Sequence, residues 1–452
     1  MQTQVKKVLC AAVILCSLVT ASNSQAQPFE GQLKLEPHVE ATLIVKFKPG
    51  SDVAIRDSVS RLVGVTKSDQ LSPFDDDTVI LKLPSESMLI KVMDALNKNP
   101  NVVFAEPDYF VQASDVSSDP YLVNNFLWGM GATGGGTKAV KAWENGYTGS
   151  TEVVVGIIDE GIQINHPDLS GNIWVNPVDV SNGRSRKDDD GNGYADDFNG
   201  WDFANNDNTV YDGGLTGSSD KHGTHVAGTI GARSNSAGVV GVNWNVKLIS
   251  AKFLKAGGGT ISNAVRAVNY LTDLKKNRGI NIVATNNSWG GGGYSQALLD
   301  AITAGGNEGI LFVVAAGNSA RNNDTTANYP SNYFCSTTNN GDCVVSVAAI
   351  ASDGAMASFS NYGATSVDLG APGVNIWSTM AGNKYESYSG TSMATPHVTG
   401  AIALLKSKCT SSSMSWLRTS LLAAVSPNSN LSSNTSSGGQ LNIENLLAIN
   451  CS

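Results

Sequence analysis

Four polar residues stand next to apolar segments of this sequence. At such a position a side chain can face a substrate while the apolar segment holds its backbone in place. Asp159 directly follows the apolar run 153–158, and Asn318 ends the segment 313–318. His222 opens a segment rich in small residues, and Ser392 opens a helical apolar pattern. A hydroxyl at a helix start has a backbone N–H and the helix dipole beside it, which would stabilise a negative oxygen. A neutral amide donor such as Asn318 suits the oxyanion of acyl transfer.

Each of these residues also has a purely structural interpretation. Asp159 could be a hydrogen-bonded cap, Ser392 the N-cap of its own helix, and Asn318 a turn residue. His222 and His225 share one helical turn and could bind a metal, supply a base or pack in the core. Zinc sites with two helical histidines usually have i+4 spacing with a glutamate between them, which this segment lacks.

The acidic segment 188–197 predicts a calcium site, because oxygen ligands recur at alternate positions as in the first half of an EF-hand loop. The terminal glutamate of that loop is missing, and a solvated acidic turn is the alternative. The candidate ligands are Asp188, Asp190, Asn192, Asp196 and Asp197.

The composition fits a globular protein with a sizeable core. The chain has 452 residues, of which 41% are apolar and 15% charged, and its net charge is −9. These values exclude a disordered chain and a coiled coil. An acidic chain is poorly suited to nucleic acids or anionic membranes, so we expect neither as a partner.

Residues 1–26 have the pattern of a secretory signal peptide. Lys6 and Lys7 precede an apolar run at 8–21, and a polar stretch then ends at position 26. The run is too short for a membrane span, and no other apolar segment reaches 18 residues. We therefore expect a secreted, extracellular and soluble protein.

Four cysteines remain after the signal peptide, an even number that favours disulfides in an exported protein. Three pairings are possible. Proximity in the sequence favours Cys335 with Cys343, which leaves Cys409 to pair with Cys451. Buried free thiols are the alternative.

Hydrophobic periodicity divides the rest into two parts. A small α+β module is predicted at 41–110, with strands at 41–47, 78–83 and 102–104 and helices at 55–63 and 87–97. A polar joint at 112–120 follows. From residue 121 onward, continuous apolar runs alternate with helical patterns and predict an α/β fold with a doubly wound, mostly parallel sheet flanked by helices. The predicted strands are 153–158, 246–253, 280–285, 310–315 and 344–350, and the segments 205–219 and 426–439 are predicted to be polar loops.

The segments IIDEGI, HGTHVAG, AAGN and GTSMATPHV occur in the order found in the subtilisin-like serine proteases (subtilases), which the sequence closely resembles. The resemblance implies a serine endopeptidase with Asp159, His222 and Ser392 as its triad and Asn318 in the oxyanion hole. It makes His222 the base and His225 a packing residue. Glu160 departs from the pattern, because many members carry a small or hydroxyl residue there.

The resemblance also implies where an extended protein or peptide substrate would bind. Segments 257–259 and 288–290 would flank it as added strands, since glycines permit a close backbone approach. Segments 288–290 and 315–317 would line the primary specificity pocket. Plain flexible turns are the alternative for 257–259. The implied substrate-binding residues are Gly257, Gly258, Gly259, Ser288, Trp289, Gly290, Ala315, Ala316 and Gly317.

A high-affinity calcium site and a propeptide are implied in the same way. The side chains of Asp168 and Asn235 would bind Ca2+ together with the carbonyls of Arg233, Ala237 and Val239. Residues 27–112 resemble the family's inhibitory, ferredoxin-like propeptide, with cleavage near Gln112 or Ala113 and a subtilisin-like catalytic domain at 113–452. We expect a monomeric, autoprocessed zymogen inhibited by its own propeptide. The rival hypotheses are a catalytically silent, calcium-dependent binding protein and a metallohydrolase using His222 and His225.

Overall fold

The computed structural model describes residues 38–51, 53–62, 64, 68–72, 75–109, 117–183, 185–337 and 341–451. These residues form two compact units, which divide between positions 111 and 112. The predicted signal peptide and the predicted cleavage positions 112 and 113 lie outside the described residues. No helix in the described ranges is long and apolar enough to cross a lipid bilayer.

The first unit is the predicted α+β module. Its described residues form an antiparallel sheet in the order β2-β3-β1-β4, with two helices in the connections of a ferredoxin-like βαββαβ arrangement. The sequence analysis missed β2, which is too polar to give an apolar alternation. The elements are β1 His38–Phe47, α1 Val53–Leu62, β2 Ser68–Ser72, β3 Asp75–Lys82, α2 Leu89–Asn97 and β4 Val102–Tyr109.

The second unit contains the predicted α/β fold. Its helices are α3 Pro120–Val123, α4 Ala139–Glu144, α5 Pro177–Asn182, α6 Lys221–Gly231, α7 Ile261–Arg278, α8 Gln296–Asn307, α9 Thr391–Lys408, α10 Met414–Ala423 and α11 Ile443–Ala448. Its strands are β5 Gly149–Asp159, β6 Gly200–Asp202, β7 Asn245–Lys252, β8 Ile282–Asn287, β9 Leu311–Ala315, β10 Val344–Ile350, β11 Leu369–Pro372, β12 Ile376–Met380, β13 Lys384–Tyr388, β14 Ser426–Pro427 and β15 Gly439–Gln440.

Nine of the strands described in this unit form one sheet in the order β14-β15-β11-β10-β9-β8-β5-β7-β6. All neighbours are parallel except β14 and β15. The five predicted strands are present as β5, β7, β8, β9 and β10, and nearly every residue in them is buried. Burial on both faces explains their continuous apolar runs, because helices cover both sides of the sheet. No such continuous apolar run occurs in the short strands β6 and β11 or in the β12–β13 hairpin.

Glycines allow helix α6 to lie close to its neighbours. A Cβ added at Gly223 would lie 2.1 Å from the carbonyl oxygen of Gly161, and one at Gly228 would lie 2.2 Å from Oγ1 of Thr379. Real Cβ atoms do not approach other atoms so closely, so these positions exclude any larger residue. The small residues of HGTHVAG are therefore needed to seat the helix.

Both predicted disulfides are present. Cys335 is bonded to Cys343, and Cys409 at the end of α9 is bonded to Cys451. The second bond ties the end of the described chain to α9.

Candidate active site

Asp159 and His222 form a carboxylate–imidazole pair in which the carboxylate is buried and the imidazole is partly exposed. Asp159 is the last residue of β5 and is 1% exposed, and both of its carboxylate oxygens lie close to Nδ1 of His222, at 2.9 and 3.0 Å. The backbone N–H of Glu160 also donates to the Asp159 carboxylate, at 2.8 Å. This carboxylate fixes the ring so that Nδ1 carries a proton and Nε2 is left to accept one.

Ser392 lies in the first turn of α9, where it is held by Ser288, the residue after β8. The Ser392 hydroxyl donates to the Ser288 carbonyl at 3.1 Å, and the Ser288 hydroxyl donates to the Ser392 carbonyl at 2.8 Å. The hydrogen bonds of the described residues do not include one between Ser392 and His222. The two side chains instead share one edge of the sheet.

The side-chain amide of Asn318 has a fixed orientation. Its Oδ1 accepts from the backbone N–H of Thr391 at 2.8 Å and from the Thr391 hydroxyl at 2.9 Å. Its Nδ2 is therefore directed away from Thr391. A Cβ added at Gly390 would lie 3.5 Å from that Nδ2 and 3.6 Å from the backbone nitrogen of Ser392. Two nitrogen donors thus lie near one point beside Gly390.

Strand order brings these residues together. Asp159 ends β5, and Ser288 and Asn318 follow β8 and β9; the three strands are consecutive in the parallel sheet. Carboxyl ends of parallel strands meet at one edge, about 5 Å apart per strand. Asp159 binds His222 and Ser288 binds Ser392, so all four predicted catalytic residues lie at one edge of the sheet.

His225 belongs to the core. Its side chain is fully buried, its Nε2 lies 3.0 Å from the carbonyl of Ile376 and 3.1 Å from that of Glu386, and its ring stacks on Tyr388. Burial lowers its pKa to about 3, so the ring stays neutral. Among the described residues, the acidic and histidine side chains grouped closely enough to hold a metal include neither histidine of the HGTH segment. The arrangement disfavours a His222–His225 metal site.

A buried ion pair supports the start of the His222 helix. Lys252 at the end of β7 is 1% exposed, and its ammonium lies 2.5 Å from the carboxylate of Asp220 and 3.0 Å from that of Asp212. Burial alone would lower the pKa of Lys252, but the hydrogen bonds and charges of these carboxylates raise it. Asp220 precedes α6 by one residue, so the pair connects β7 to the helix that carries His222. Sequence analysis missed this contact because the partners are 32 residues apart.

A cavity of about 420 Å³ lies between two of the predicted substrate segments. Gly258, Gly259, Trp289 and Gly290 line it, so the structure brings these four predicted residues together. The remaining walls are mainly apolar and aromatic. They include Phe253, Leu254, Ile261, Leu298, Tyr329 and Tyr333.

The other predicted substrate residues lie outside this cavity. Gly257 is exposed on the neighbouring turn, and Ser288 holds Ser392. Ala315 and Ala316 are buried at the end of β9, and the N–H of Gly317 donates to the Thr391 hydroxyl at 3.2 Å. The structure therefore places four of the predicted residues in the cavity wall, while Ser288 and Gly317 contact the first turn of α9.

The acidic segment forms a cluster that differs from the predicted one. Carboxylate oxygens of Asp179, Asp190 and Asp197 lie within 4.8 Å of one another. Asn192 donates to Asp190 at 3.1 Å and to Asp197 at 3.0 Å. Burial raises the pKa of Asp197 to about 8. One oxygen of the buried Asp179 has no hydrogen-bond partner, which leaves it available to a cation.

Two of the predicted ligands do not join that cluster. The carboxylate of Asp188 accepts from the backbone of Asn192 and Gly193, and that of Asp196 accepts from the backbone at 185 and 186. Both side chains stabilise turns instead. Asp179 was missed because it precedes the acidic segment, in helix α5, where an aspartate in the first turn has an ordinary structural role.

A second predicted group of calcium ligands includes Asp168, whose carboxylate faces N–H donors in this structure. The Asp168 carboxylate accepts from Asn235 at 3.1 Å and from the backbone of Val239 at 3.0 Å. Asp119, which is fully buried, accepts from the backbone of Asn235 and Ala237 and was not predicted. The described hydrogen bonds include none to the carbonyl oxygens of Arg233, Ala237 and Val239.

Comparisons with known proteins identify the family. The profile of the subtilase family, peptidase S8, matches residues 150–440, and that of the fervidolysin N-terminal prodomain matches residues 24–108. A thermophilic serine proteinase of Bacillus sp. (strain AK1) is 32% identical over 373 residues, which are 82% of this chain and 79% of that protein.

Two further proteins are similar. An extracellular protease of Xanthomonas campestris pv. campestris is 35% identical over 330 residues, or 70% of this chain and 54% of that protein, so this chain spans about half its length. A solved structure of proteases from Pseudoalteromonas arctica PAMC 21717 has 26% identity and a TM-score of 0.56, covering 74% of this chain and 98% of that one.

The fold and the matched families are those of a serine endopeptidase with an N-terminal prodomain. The chain belongs to the subtilase family.

We predict that Lys252→Met destabilises the catalytic unit. Removing the ammonium leaves buried Asp220 unpaired, which should reduce the free energy of unfolding by about 3 kcal/mol or more. Lys276→Met is the matched control, because its pair with Glu308 is exposed and should contribute less than about 1 kcal/mol. Urea unfolding of both variants in a Ser392→Ala background avoids self-digestion. Equal losses in the two variants would contradict a supporting role for Lys252.

Proposed function

We propose that the protein is a secreted endopeptidase, made as an autoprocessed zymogen, that cleaves extended protein substrates with Asp159, His222, Ser392 and Asn318. The observation that carries this proposal is the bidentate approach of the Asp159 carboxylate to Nδ1 of His222, on the sheet edge that also holds Ser392 and Asn318. If Asp159 were only a structural cap, its buried carboxylate would not need the partly exposed imidazole of His222 as a partner.

In this proposal Ser392 attacks the scissile carbonyl after its hydroxyl turns from the Ser288 carbonyl toward Nε2 of His222. Catalytic hydrogen bonds are often long or poorly aligned before substrate binds and tighten in the complex. His222 takes the hydroxyl proton and returns it to the leaving amine, while Asp159 holds the ring tautomer and stabilises the imidazolium, as in the general serine-protease mechanism. Hydrolysis of the acyl-enzyme repeats these proton transfers with water.

Asn318 and the backbone N–H of Ser392 would stabilise the tetrahedral oxyanion. The two nitrogens border the same space beside Gly390, and Thr391 holds the amide so that Nδ2 faces it. A donor fixed in advance needs no reorganisation when charge develops.

An extended substrate would lie between segments 257–259 and 288–290. Main-chain hydrogen bonds to these glycine-rich segments would give binding that tolerates many sequences. The aromatic cavity between them favours one large apolar side chain of the substrate. The first unit, which matches a fervidolysin-type prodomain, would act as the intramolecular inhibitor until cleavage near positions 112 and 113.

Calcium is the cofactor that the oxygen clusters fit. The unpartnered Asp179 oxygen beside Asp190 and Asp197 is a hard oxygen donor, and so are the carbonyls at 233, 237 and 239 and the carboxylate of Asp168 that the family resemblance implies as a second site. A bound cation would neutralise the carboxylates and hold the loops closed. The protein's own residues perform the chemistry of peptide hydrolysis.

We predict that Asn318→Ala lowers kcat by about 10² to 10³ with little change in KM, a loss of the size that removing one such donor causes in a subtilisin. The amide donates to an oxygen that is charged only in the transition state. Steady-state kinetics on a peptide substrate measure this, with Asn277→Ala, at an exposed position of helix α7, as the control and Ser392→Ala as the inactive reference. Ser392→Ala should also remain unprocessed. An unchanged kcat in Asn318→Ala would remove Asn318 from the oxyanion hole.

We predict that the separately expressed segment 27–112 inhibits the mature enzyme at micromolar concentration, because its end would bind as a cleaved product does. The segment 27–109 keeps β4 but lacks the last three residues, so it should inhibit more weakly. Inhibition constants for the two segments test this. If neither segment inhibits, the propeptide assignment is wrong.

We predict that Asp190→Asn removes one bound calcium ion and Asp188→Asn does not. The two variants change the same charge on the same loop, but only Asp190 belongs to the cluster with Asp179 and Asp197. A calcium ion at a hundred times its Kd adds about 2.7 kcal/mol of stability. Calcium titration and melting curves of Ser392→Ala protein measure both effects. Wild-type stoichiometry in Asp190→Asn would mean that the loop is only a solvated acidic turn.

A further inference from the structure

We propose that Glu160 is a positioning residue for the catalytic base, which fixes the His222 helix to the end of β5 and places a second negative charge beside the imidazole. The inference rests on the proposed function, because it concerns the base of the same triad. It accounts for the glutamate that stands where many subtilases have a small or hydroxyl residue.

Glu160 contacts both members of the Asp–His pair. Its backbone N–H donates to the Asp159 carboxylate at 2.8 Å, and its own carboxylate accepts the backbone N–H of His222 at 2.5 Å. One residue therefore orients the carboxylate through its main chain and holds the start of the helix through its side chain.

Helix α6 needs such an outside acceptor. The first N–H groups of a helix have no partner within the helix. Asp220, at the N-cap position, makes no capping hydrogen bond because its side chain is committed to Lys252. A carboxylate is also favoured at a helix N-terminus by the helix dipole. Glu160 thus takes the place of a local cap, from 62 residues away.

The charge of Glu160 reaches the ring of His222. Burial would lower the pKa of His222, but the charge and hydrogen bond of Asp159, together with the charge of Glu160, raise it above its usual value. Burial and the charge of Asp159 raise the pKa of Glu160 itself.

The other ionisable groups around the Asp159–His222 pair have little effect on the pKa of His222. Lys252 neutralises buried Asp220, and Asp212 at the same ammonium is exposed. His225 stays neutral because burial lowers its pKa, and Tyr388 stays neutral because burial raises its pKa. Asp159 and Glu160 are therefore the negative charges in contact with the His222 residue.

The sign of the expected effect follows from the role of the base. His222 must be neutral to accept the Ser392 proton, so a raised pKa moves the acid limb of kcat/KM to higher pH. Removing the charge of Glu160 should therefore move that limb to lower pH and increase the relative activity there.

Two variants separate charge from hydrogen bonding. Glu160→Gln keeps an acceptor oxygen but loses the charge, so the midpoint of the acid limb should fall by about half a pH unit, the effect of one partly screened charge a few ångströms away. Glu160→Asp keeps the charge but is one methylene shorter, so the midpoint should hold while the plateau falls about tenfold or more as the helix start shifts.

Glu308→Gln is the matched control, because it removes the same charge beyond the end of α8, where Glu308 pairs with Lys276. NMR titration of the His222 ring in Ser392→Ala protein gives a second measurement that needs no peptidase activity. A lower titration midpoint in Glu160→Gln than in Glu308→Gln supports the proposal, even if the assay finds no proteolysis. Equal midpoints in these two variants would overturn it.

Discussion

The second unit is organised around one buried carboxylate. Asp159 is 1% exposed at the end of β5, and an unpaired charge there would cost several kcal/mol. Its partners are the His222 ring and the Glu160 N–H, which arrive from a helix and a turn on the same sheet edge. The need to satisfy this carboxylate therefore links the strand, the turn and helix α6 into one rigid arrangement.

Parallel register extends this arrangement to the nucleophile. Strand β5 pairs directly with β8, which leads to Ser288, and β8 pairs with β9, which leads to Asn318. Ser288 and Asn318 then hold the first turn of α9 through Ser392 and Thr391. A shift of one residue in either pairing would turn these side chains to the opposite face, because side chains alternate along a strand. The buried apolar faces of the strands thus set the distances in the active site.

Much of the fold and of the active site was predictable from the sequence, because local residue patterns specify it. Continuous apolar runs predicted β5 and β7 to β10, and the motifs around the four catalytic residues predicted the family. The sequence could not reveal Asp119, Asp179 or the capping role of Glu160, since a single acidic residue near a turn looks the same whether it binds a backbone N–H or a cation. The outcome at Asp188 and Asp196, whose carboxylates bind turns, illustrates the same ambiguity.

The two helices that carry catalytic residues are capped differently from several structural helices. Helices α7, α8, α10 and α11 begin with a side chain that caps its own helix, a pattern readable from sequence. Helices α6 and α9 make no such bond, and their first N–H groups are instead bound by Glu160 and Asn318 at the ends of neighbouring strands. A local cap binds the N–H groups of its own helix but does not fix the position of that helix relative to the sheet. A cap from the sheet fixes His222 and Ser392 to the same edge, which is what two groups that exchange a proton require.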